Sequence, residues 1–281
     1  MDLEFIVAES REARLPALTP RRLDVPDIPN KAAVLIGMRR SGKTYLMYQE
    51  MQRLLASGVD RRDVLYVNFE DDRLQPAEPG LLSDLLEAHY RVHPAPRERR
   101  AYLFLDEIQM VPGWPRFVRR ILDTELVRVV LGGSSAKLLH TEVATELRGR
   151  GFAVEVFPYD LTEALTSSGE PAPLGATPGA RSRSRLEAGC KRYLEIGGFP
   201  EVQAMEPLAR LQTLQDYVEL ALLRDVIERR RVENVAAARA FSRLLLQSPA
   251  SAFSVNKVYA DLRSRGLRVS RDTLHALLDH F

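Results

Sequence analysis

The chain is expected to fold as an α/β protein built on a parallel sheet with helices on both faces. Three observations predict this. Short runs rich in β-branched and aromatic residues recur at "AAVLIG" (32–37), "DVLYVNF" (63–69), "AYLFLD" (101–106), "VRVVLGG" (127–133) and "FAVEVF" (152–157). The intervals between them carry helix-like patterns. The runs are almost continuously apolar where a half-exposed strand would alternate, which marks strands buried on both faces.

The first run leads directly into a glycine-rich turn. Residues 37–44, "GMRRSGKT", spell G-x-x-x-x-G-K-[ST]. Apolar residues then fall at Met47, Met51, Leu54 and Leu55, the i, i+4, i+7, i+8 spacing of one helical face. Gly58 stands where a C-terminal cap belongs. A buried strand, a glycine turn and an amphipathic helix form the context that a phosphate-binding loop requires. In such a loop successive backbone N–H groups wrap a phosphate, and the helix N-terminus adds its dipole. Glycine is needed because a Cβ would block that approach. The nucleotide-binding residues are therefore expected to be Gly37, Met38, Arg39, Arg40, Ser41, Gly42, Lys43, Thr44 and Tyr45. Lys43 would reach the β- and γ-phosphates, and the Thr44 hydroxyl would ligate Mg2+.

The third strand supplies a partner site. In "YLFLDEIQ", Asp106 and Glu107 emerge at the C-terminal end of a buried strand, where crevices form in parallel sheets. Asp106 would hold Mg2+, directly or through water, and Glu107 would orient and activate the attacking water. The competing reading is a solvent-facing acidic turn. The adjacent glutamate favours a hydrolase over a nucleotide kinase, which activates no water. In "VVLGGSSAKLL" the fourth strand ends in two serines. Ser134 or Ser135 would sense the γ-phosphate, or cap the helix "AKLL". Glu70 and Asp71 would lie on the same edge, positioning water, pairing with an arginine, or simply solvated. Among the arginines, Arg119, Arg120, Arg148 and Arg150 are candidates for a finger that stabilises transition-state charge. Arg150 is preferred, since it precedes the last strand and could reach a neighbouring site.

Composition bounds the alternatives. The 281 residues are 45% hydrophobic and 28% charged, the balance of a soluble globular protein. A net charge of +2 does not argue for wholesale nucleic-acid binding. Cys190 is the single cysteine, which excludes a disulfide framework and a thiolate metal cluster. No apolar run approaches the roughly 18 residues of a membrane span. The N-terminal stretch lacks a signal-peptide core, so a cytoplasmic location is the default.

The expected organisation is an N-terminal segment (1–27), a nucleotide-binding core (28–165), a flexible Pro/Gly/Ser-rich linker (166–184), a helical segment (185–235) and a compact helical unit (236–281). In the last, a helix from Asn256 to Arg265 would end at Gly266. Ser270 would cap a second helix running to Phe281, with Leu274, Leu277 and Leu278 inward. Arg265, Arg271 and His275 could face phosphates if that helix entered a groove. A packing module is the favoured alternative, because no Lys/Arg cluster marks the second helix.

The combination of "GMRRSGKT", "YVNFEDDRL", "YLFLDEIQMVPGW", "LGGSSAKLL", "ELRGRGFAVEVFPYDLTEAL", "YLEIGGFPEV" and "YVELALLRDVIERRRVEN" resembles a family. It is similar to the AAA-type ATPases of the bacterial and archaeal ATP-binding protein group whose C-terminal half is a domain of unknown function, DUF4143. The resemblance covers most of the chain from about residue 22. It implies an ATP-binding P-loop core of strand order 5-1-4-3-2, a helical lid over 185–235 and a winged-helix unit. Walker A would fall on Gly37 to Thr44, Walker B on Asp106 and Glu107, and the first sensor on Ser134 or Ser135. Members of that family usually continue past this length with a nuclease-like α/β region, so the chain, which stops at Phe281 inside or just before the wing, is expected to be either a fragment or a shortened member with a truncated winged unit.

Two function classes follow. One is a Mg2+-dependent ATPase that couples turnover to conformational change. The other is a nucleotide-gated module with little hydrolysis, reading DNA or protein through its C-terminal helices. A homo-oligomer is compatible with both.

Overall fold

In the computed structural model the described residues are 2–92, 99–133, 145–170, 180–223, 234–248, 251 and 253–278. The chain divides into two compact units, Met1–Ala204 and Met205–Phe281. The first twenty residues of the expected lid segment (185–204) thus pack with the first unit.

The first unit is built on β1 (Ala32–Ile36), β2 (Val64–Asn68), β3 (Ala101–Asp106), β4 (Val127–Gly132) and β5 (Gly151–Glu155). All adjacent pairs are parallel, and the order is β2-β3-β4-β1-β5, the order the sequence resemblance implied. Alternation along each strand explains why the runs are apolar throughout. Ala32, Val34 and Ile36 of β1, with Leu103 and Leu105 of β3, enter one core cluster. Ala33 and Leu35, with Phe104, enter the other. On the first face lie α1 (Leu3–Glu12), α3 (Leu81–Val92) and α4 (Trp114–Thr124). On the second lies α2 (Lys43–Ala56), which buries Leu46, Met47, Met51 and Leu54.

Helix α1 is not visible as a strong sequence pattern. Asp2 caps it by accepting from the Glu4 and Phe5 amides, and Ile6 and Val7 are buried against the sheet. The following segment, 13–31, is held by side chains of the core. Arg128 of β4 donates to the Val25 carbonyl at 2.8 Å and to Glu50 Oε1 at 2.5 Å, with both charged side chains nearly buried. Glu50 also accepts from Arg53 through both oxygens, but the Arg53 side chain is exposed, so Arg128 is the partner that meets the carboxylate inside the protein.

The expected linker is helical at both ends. Helix α5 (Leu161–Ser167) closes its first turn with a capping box, in which Asp160 accepts from the Glu163 amide and Glu163 accepts from the Asp160 amide. Helix α6 (Ala180–Ile196) begins before the expected lid. The Pro/Gly/Ser composition obscured both, and residues 171–179 lie outside the described residues.

The second unit contains α7 (Pro207–Ala221), α8 (Val235–Leu246), α9 (Val255–Ser264) and α10 (Arg271–Leu278), with no strand among its described residues. Phe241, Val258, Leu262, Leu274 and Leu277 form its core. The Ser270 hydroxyl accepts from the Thr273 amide at 3.0 Å, as a cap should. Leu278 departs from expectation: it is exposed, because α10 turns it away from the Leu274–Leu277 stripe. Arg265 pairs with Asp261, and the Arg271 guanidinium lies 5.1 Å from the Tyr259 ring centroid.

Replacing Arg128 by Met should cost up to about 3 kcal/mol of unfolding free energy, since the buried Glu50 would keep only the exposed Arg53 as a charged partner. Chemical denaturation of Arg128→Met and of the double variant Arg128→Met/Glu50→Met checks this. The double variant should recover most of the loss, and equal losses in the two would contradict the pairing argument.

Candidate functional site

The C-terminal end of β1 and the N-terminus of α2 are joined by residues 37–42. Gly37 stands at φ 150°, and a Cβ there would lie 2.3 Å from the Val156 carbonyl oxygen. Gly42 stands at φ 102°, a left-handed conformation at the helix N-cap, and a Cβ there would lie 2.9 Å from an Arg21 guanidinium nitrogen. Both consensus glycines therefore answer to close approach and backbone conformation together. Arg40 also adopts positive φ, at 62°. The loop thus curls tightly, as a phosphate cradle does.

Lys43 lies inside this curl. Its ammonium donates to the Gly37 carbonyl at 3.0 Å and the Met38 carbonyl at 2.9 Å. Burial lowers its pKa, against the raising influence of Glu107 and Asp106. The Ser41 hydroxyl is fully buried and has no hydrogen-bond partner among the described residues. Such an unsatisfied polar atom within a cradle suits an incoming oxygen-rich ligand. The inner arginine side chains turn to flanking segments: Arg39 lies 3.9 Å from Glu70, and Arg40 pairs with Glu201. Met38 and Tyr45 are half-exposed, with Tyr45 edge-on to Tyr48.

Asp106, at the end of β3, is brought to the loop. Thr44 Oγ1 donates to its Oδ2 at 2.6 Å, the Tyr66 hydroxyl donates to the same oxygen at 3.4 Å, and the Glu107 amide donates to Oδ1 at 3.1 Å. Desolvation raises the Asp106 pKa, while the Thr44 hydrogen bond opposes that. In the sheet, β4 stands between β3 and β1, so the Asp106 side chain must pass over the end of β4. Gly132 is the residue there. A Cβ on it would lie 2.3 Å from Asp106 Oδ1 and 2.6 Å from the Met47 methyl. One hydroxyl and one carboxylate oxygen side by side are the hard oxygen donors that Mg2+ takes, with waters and phosphate completing its shell. The donor set, the buried Ser41 hydroxyl and the glycine cradle all fit a magnesium nucleotide.

Glu107 follows at φ 52°, a left-handed conformation for a residue with a side chain. Gln109 donates to its carboxylate. Asp71 is occupied by Arg73 and by capping the turn at 72–74, so it is committed to local structure.

Arg150 is not brought to this loop. It precedes β5, whose first residue aligns with Ala32, while the loop follows Ile36 at the other end of the strands. Five residues of strand separate the two levels, roughly 16 Å. Arg150 instead pairs with Asp123 and donates to the Arg119 carbonyl at 3.0 Å. A role at a nucleotide would require a second copy of the chain. Ser134 and Ser135 lie outside the described residues.

Several residues around the site escaped the sequence reading. Tyr66, Gln109 and Gly132 touch Asp106 or Glu107, and Arg21 and Glu201 hold the loop from outside. Gly132 had a signal, a glycine ending a buried strand. Arg21 had none, lying in an apparently featureless N-terminal segment.

Among the described residues no helix is long and apolar enough to cross a membrane. Two curated relatives align with most of the chain. An uncharacterized protein of Methanocaldococcus jannaschii is 29% identical over 279 residues, covering 99% of this chain and 60% of that protein. An uncharacterized protein of Haemophilus influenzae is 29% identical over 248 residues, covering 88% of this chain and 58% of that protein. The chain spans about three-fifths of the length of these relatives. Among solved structures, PCH-2 of C. elegans superposes with a TM-score of 0.44 at 13% identity, over 74% of this chain and 59% of that one. Residues 187–281 match a domain of unknown function, DUF8612. This replaces the DUF4143 region expected from the sequence, where helical periodicity and the "GGFPE" turn could not distinguish one helical family from another. Residues 29–165 match the model of an AAA domain, AAA_14, and they carry it on a five-stranded parallel sheet with the strand order of the P-loop NTPase fold.

Proposed function

We propose that this chain is a Mg2+-dependent ATPase whose turnover drives a conformational change. The observation that carries the reading is the 2.6 Å hydrogen bond from Thr44 Oγ1 to Asp106 Oδ2, with Glu107 as the next residue. It brings a loop hydroxyl and a strand-end carboxylate to one point, and Glu107, the proposed general base, is the next residue in the chain. Lys43 would exchange the Gly37 and Met38 carbonyls for β- and γ-phosphate oxygens. Thr44 and Asp106 would hold Mg2+, which when bound there neutralises phosphate charge. Glu107 would leave Gln109, orient a water and accept its proton. Ser134 or Ser135, which follow β4 in the sequence, would be the γ-phosphate sensor. Arg150 would act on the nucleotide of a neighbouring copy in a homo-oligomer, since its own loop is out of reach.

The alternative, a nucleotide-gated DNA or protein reader, draws less support. Two of the three C-terminal side chains that could face phosphates are engaged locally, Arg265 with Asp261 and Arg271 with Tyr259.

Purified protein should release phosphate from ATP in the presence of Mg2+ and stop when the metal is chelated. Glu107→Gln should retain ATP binding while its turnover falls by about 10²–10⁴-fold. Equal phosphate release by Glu107→Gln and the wild type would refute the assignment. Gly132→Ala should displace Asp106 and lower turnover on the order of 100-fold, the cost of misplacing a catalytic group by about 1 Å. A folded Gly132→Ala with wild-type turnover would show that Asp106 need not cross β4 at this level.

A further inference from the structure

We infer that Arg21 is a positioning residue for the phosphate loop, aiming the Gly42 amide into the cradle. The inference rests on the nucleotide-binding reading above and adds to it a residue that lies outside the loop motif.

The Arg21 side chain is 6% exposed, and each end of its guanidinium has a separate partner. Nε donates to Glu163 Oε1 at 3.1 Å, one terminal nitrogen to the Ser41 carbonyl at 2.9 Å, and the other to the Phe157 carbonyl at 2.7 Å. The backbone of Arg21 is fixed as well, since its amide donates to Gln49 Oε1 at 2.6 Å and its carbonyl accepts from Gln49 Nε2 at 3.1 Å. The guanidinium lies 5.2 Å from the Tyr159 ring centroid. Glu163 is itself 5% exposed and held by the α5 capping box. A planar fork with fixed acceptors on every edge is a rigid strut, a task a lysine ammonium cannot perform.

The Ser41 carbonyl is the informative partner. The Ser41–Gly42 peptide is trans, and in a planar trans peptide the C=O and N–H point in opposite directions. Holding the Ser41 oxygen against Arg21 therefore turns the Gly42 N–H away from Arg21, and we take that side as the interior of the curl. Without the strut this peptide could rotate, as glycine at Gly42 permits nearly any backbone angle. The buried positive charge behind the carbonyl also polarises the peptide, making its N–H a stronger donor to an anion. Arg21 thus supplies, from 20 residues upstream of Ser41, the rigidity that the loop's glycines lack. The same guanidinium connects the loop to the residues leaving β5 through Phe157 and to α5 through Glu163.

The test is titration of Mg2+–ADP into wild type, Arg21→Gln and Arg21→Lys, with Lys43→Ala as a reference and Gly42 amide resonances followed in 15N-labelled protein. Arg21→Gln should bind ADP roughly 10- to 100-fold more weakly, the loss of a hydrogen bond to a charged group. Arg21→Lys should recover only part of that affinity. The downfield movement of the Gly42 amide proton on ADP binding should shrink in both variants, a signature that a purely structural role would leave alone. If Arg21→Gln does not fold, Arg21→Lys, which keeps the cation opposite Glu163, carries the same criterion. Wild-type ADP affinity and an unchanged Gly42 shift in folded variants would overturn the inference. A wild type that binds no ADP, or binds it independently of Lys43, would overturn the nucleotide-binding reading instead.

Discussion

The site depends on one carboxylate crossing a strand that is not its own. Asp106 ends β3, its hydrogen-bond partner Thr44 begins α2 after β1, and β4 lies between them. The crossing is possible only because β4 ends in Gly132, where a side chain would occupy the space of the Asp106 oxygen. The rest of the arrangement follows from that constraint. Tyr66 on β2 approaches Asp106 from the far side, and the Glu107 amide closes the remaining oxygen. A carboxyl group with three donors and little solvent is fixed in place. The following residue, Glu107, takes a left-handed conformation at the C-terminal end of the strand.

Charge around the loop is arranged in the same way, by committed pairs. Arg39 faces Glu70, Arg40 pairs with Glu201, and Arg21 pairs with Glu163. The first two are exposed and contribute little to stability. The third is buried, and its worth lies in geometry more than in net energy. Lys43 differs from all of them, being held by two backbone carbonyls inside the curl. Neutral acceptors are weaker competitors than carboxylates for an ammonium. A phosphate can displace them, so the loop's lysine remains available to a ligand while its arginines serve the scaffold.

Much of the first unit was legible in the sequence, for a physical reason. Strands buried on both faces are apolar at nearly every position, so β1, β3 and β4 announce themselves in "AAVLI", "AYLFLD" and "VRVVLG", with Arg128 and Asp106 as the buried exceptions. The loop motif is local and its glycines are required by backbone geometry, so Gly37 through Thr44 could be found without a structure. What could not be read were contacts between residues distant in sequence. The Arg21–Glu163 pair spans 142 positions, and Arg128–Glu50 spans 78. Helix α1 was missed because only Ile6 and Val7 of its ten residues are buried, too narrow a stripe to set a period. Leu278 looked inward because it neighbours Leu277, yet adjacent helical residues point about 100° apart and only one can face the core.

The central claim is that the loop hydroxyl and the strand-end carboxylate serve one metal-dependent nucleotide site. Calorimetric titration of ATP, with and without Mg2+, into the wild type and Asp106→Asn addresses it directly. Mg2+ should tighten ATP binding in the wild type and lose most of that effect in Asp106→Asn. Equal tightening in both proteins would contradict the account.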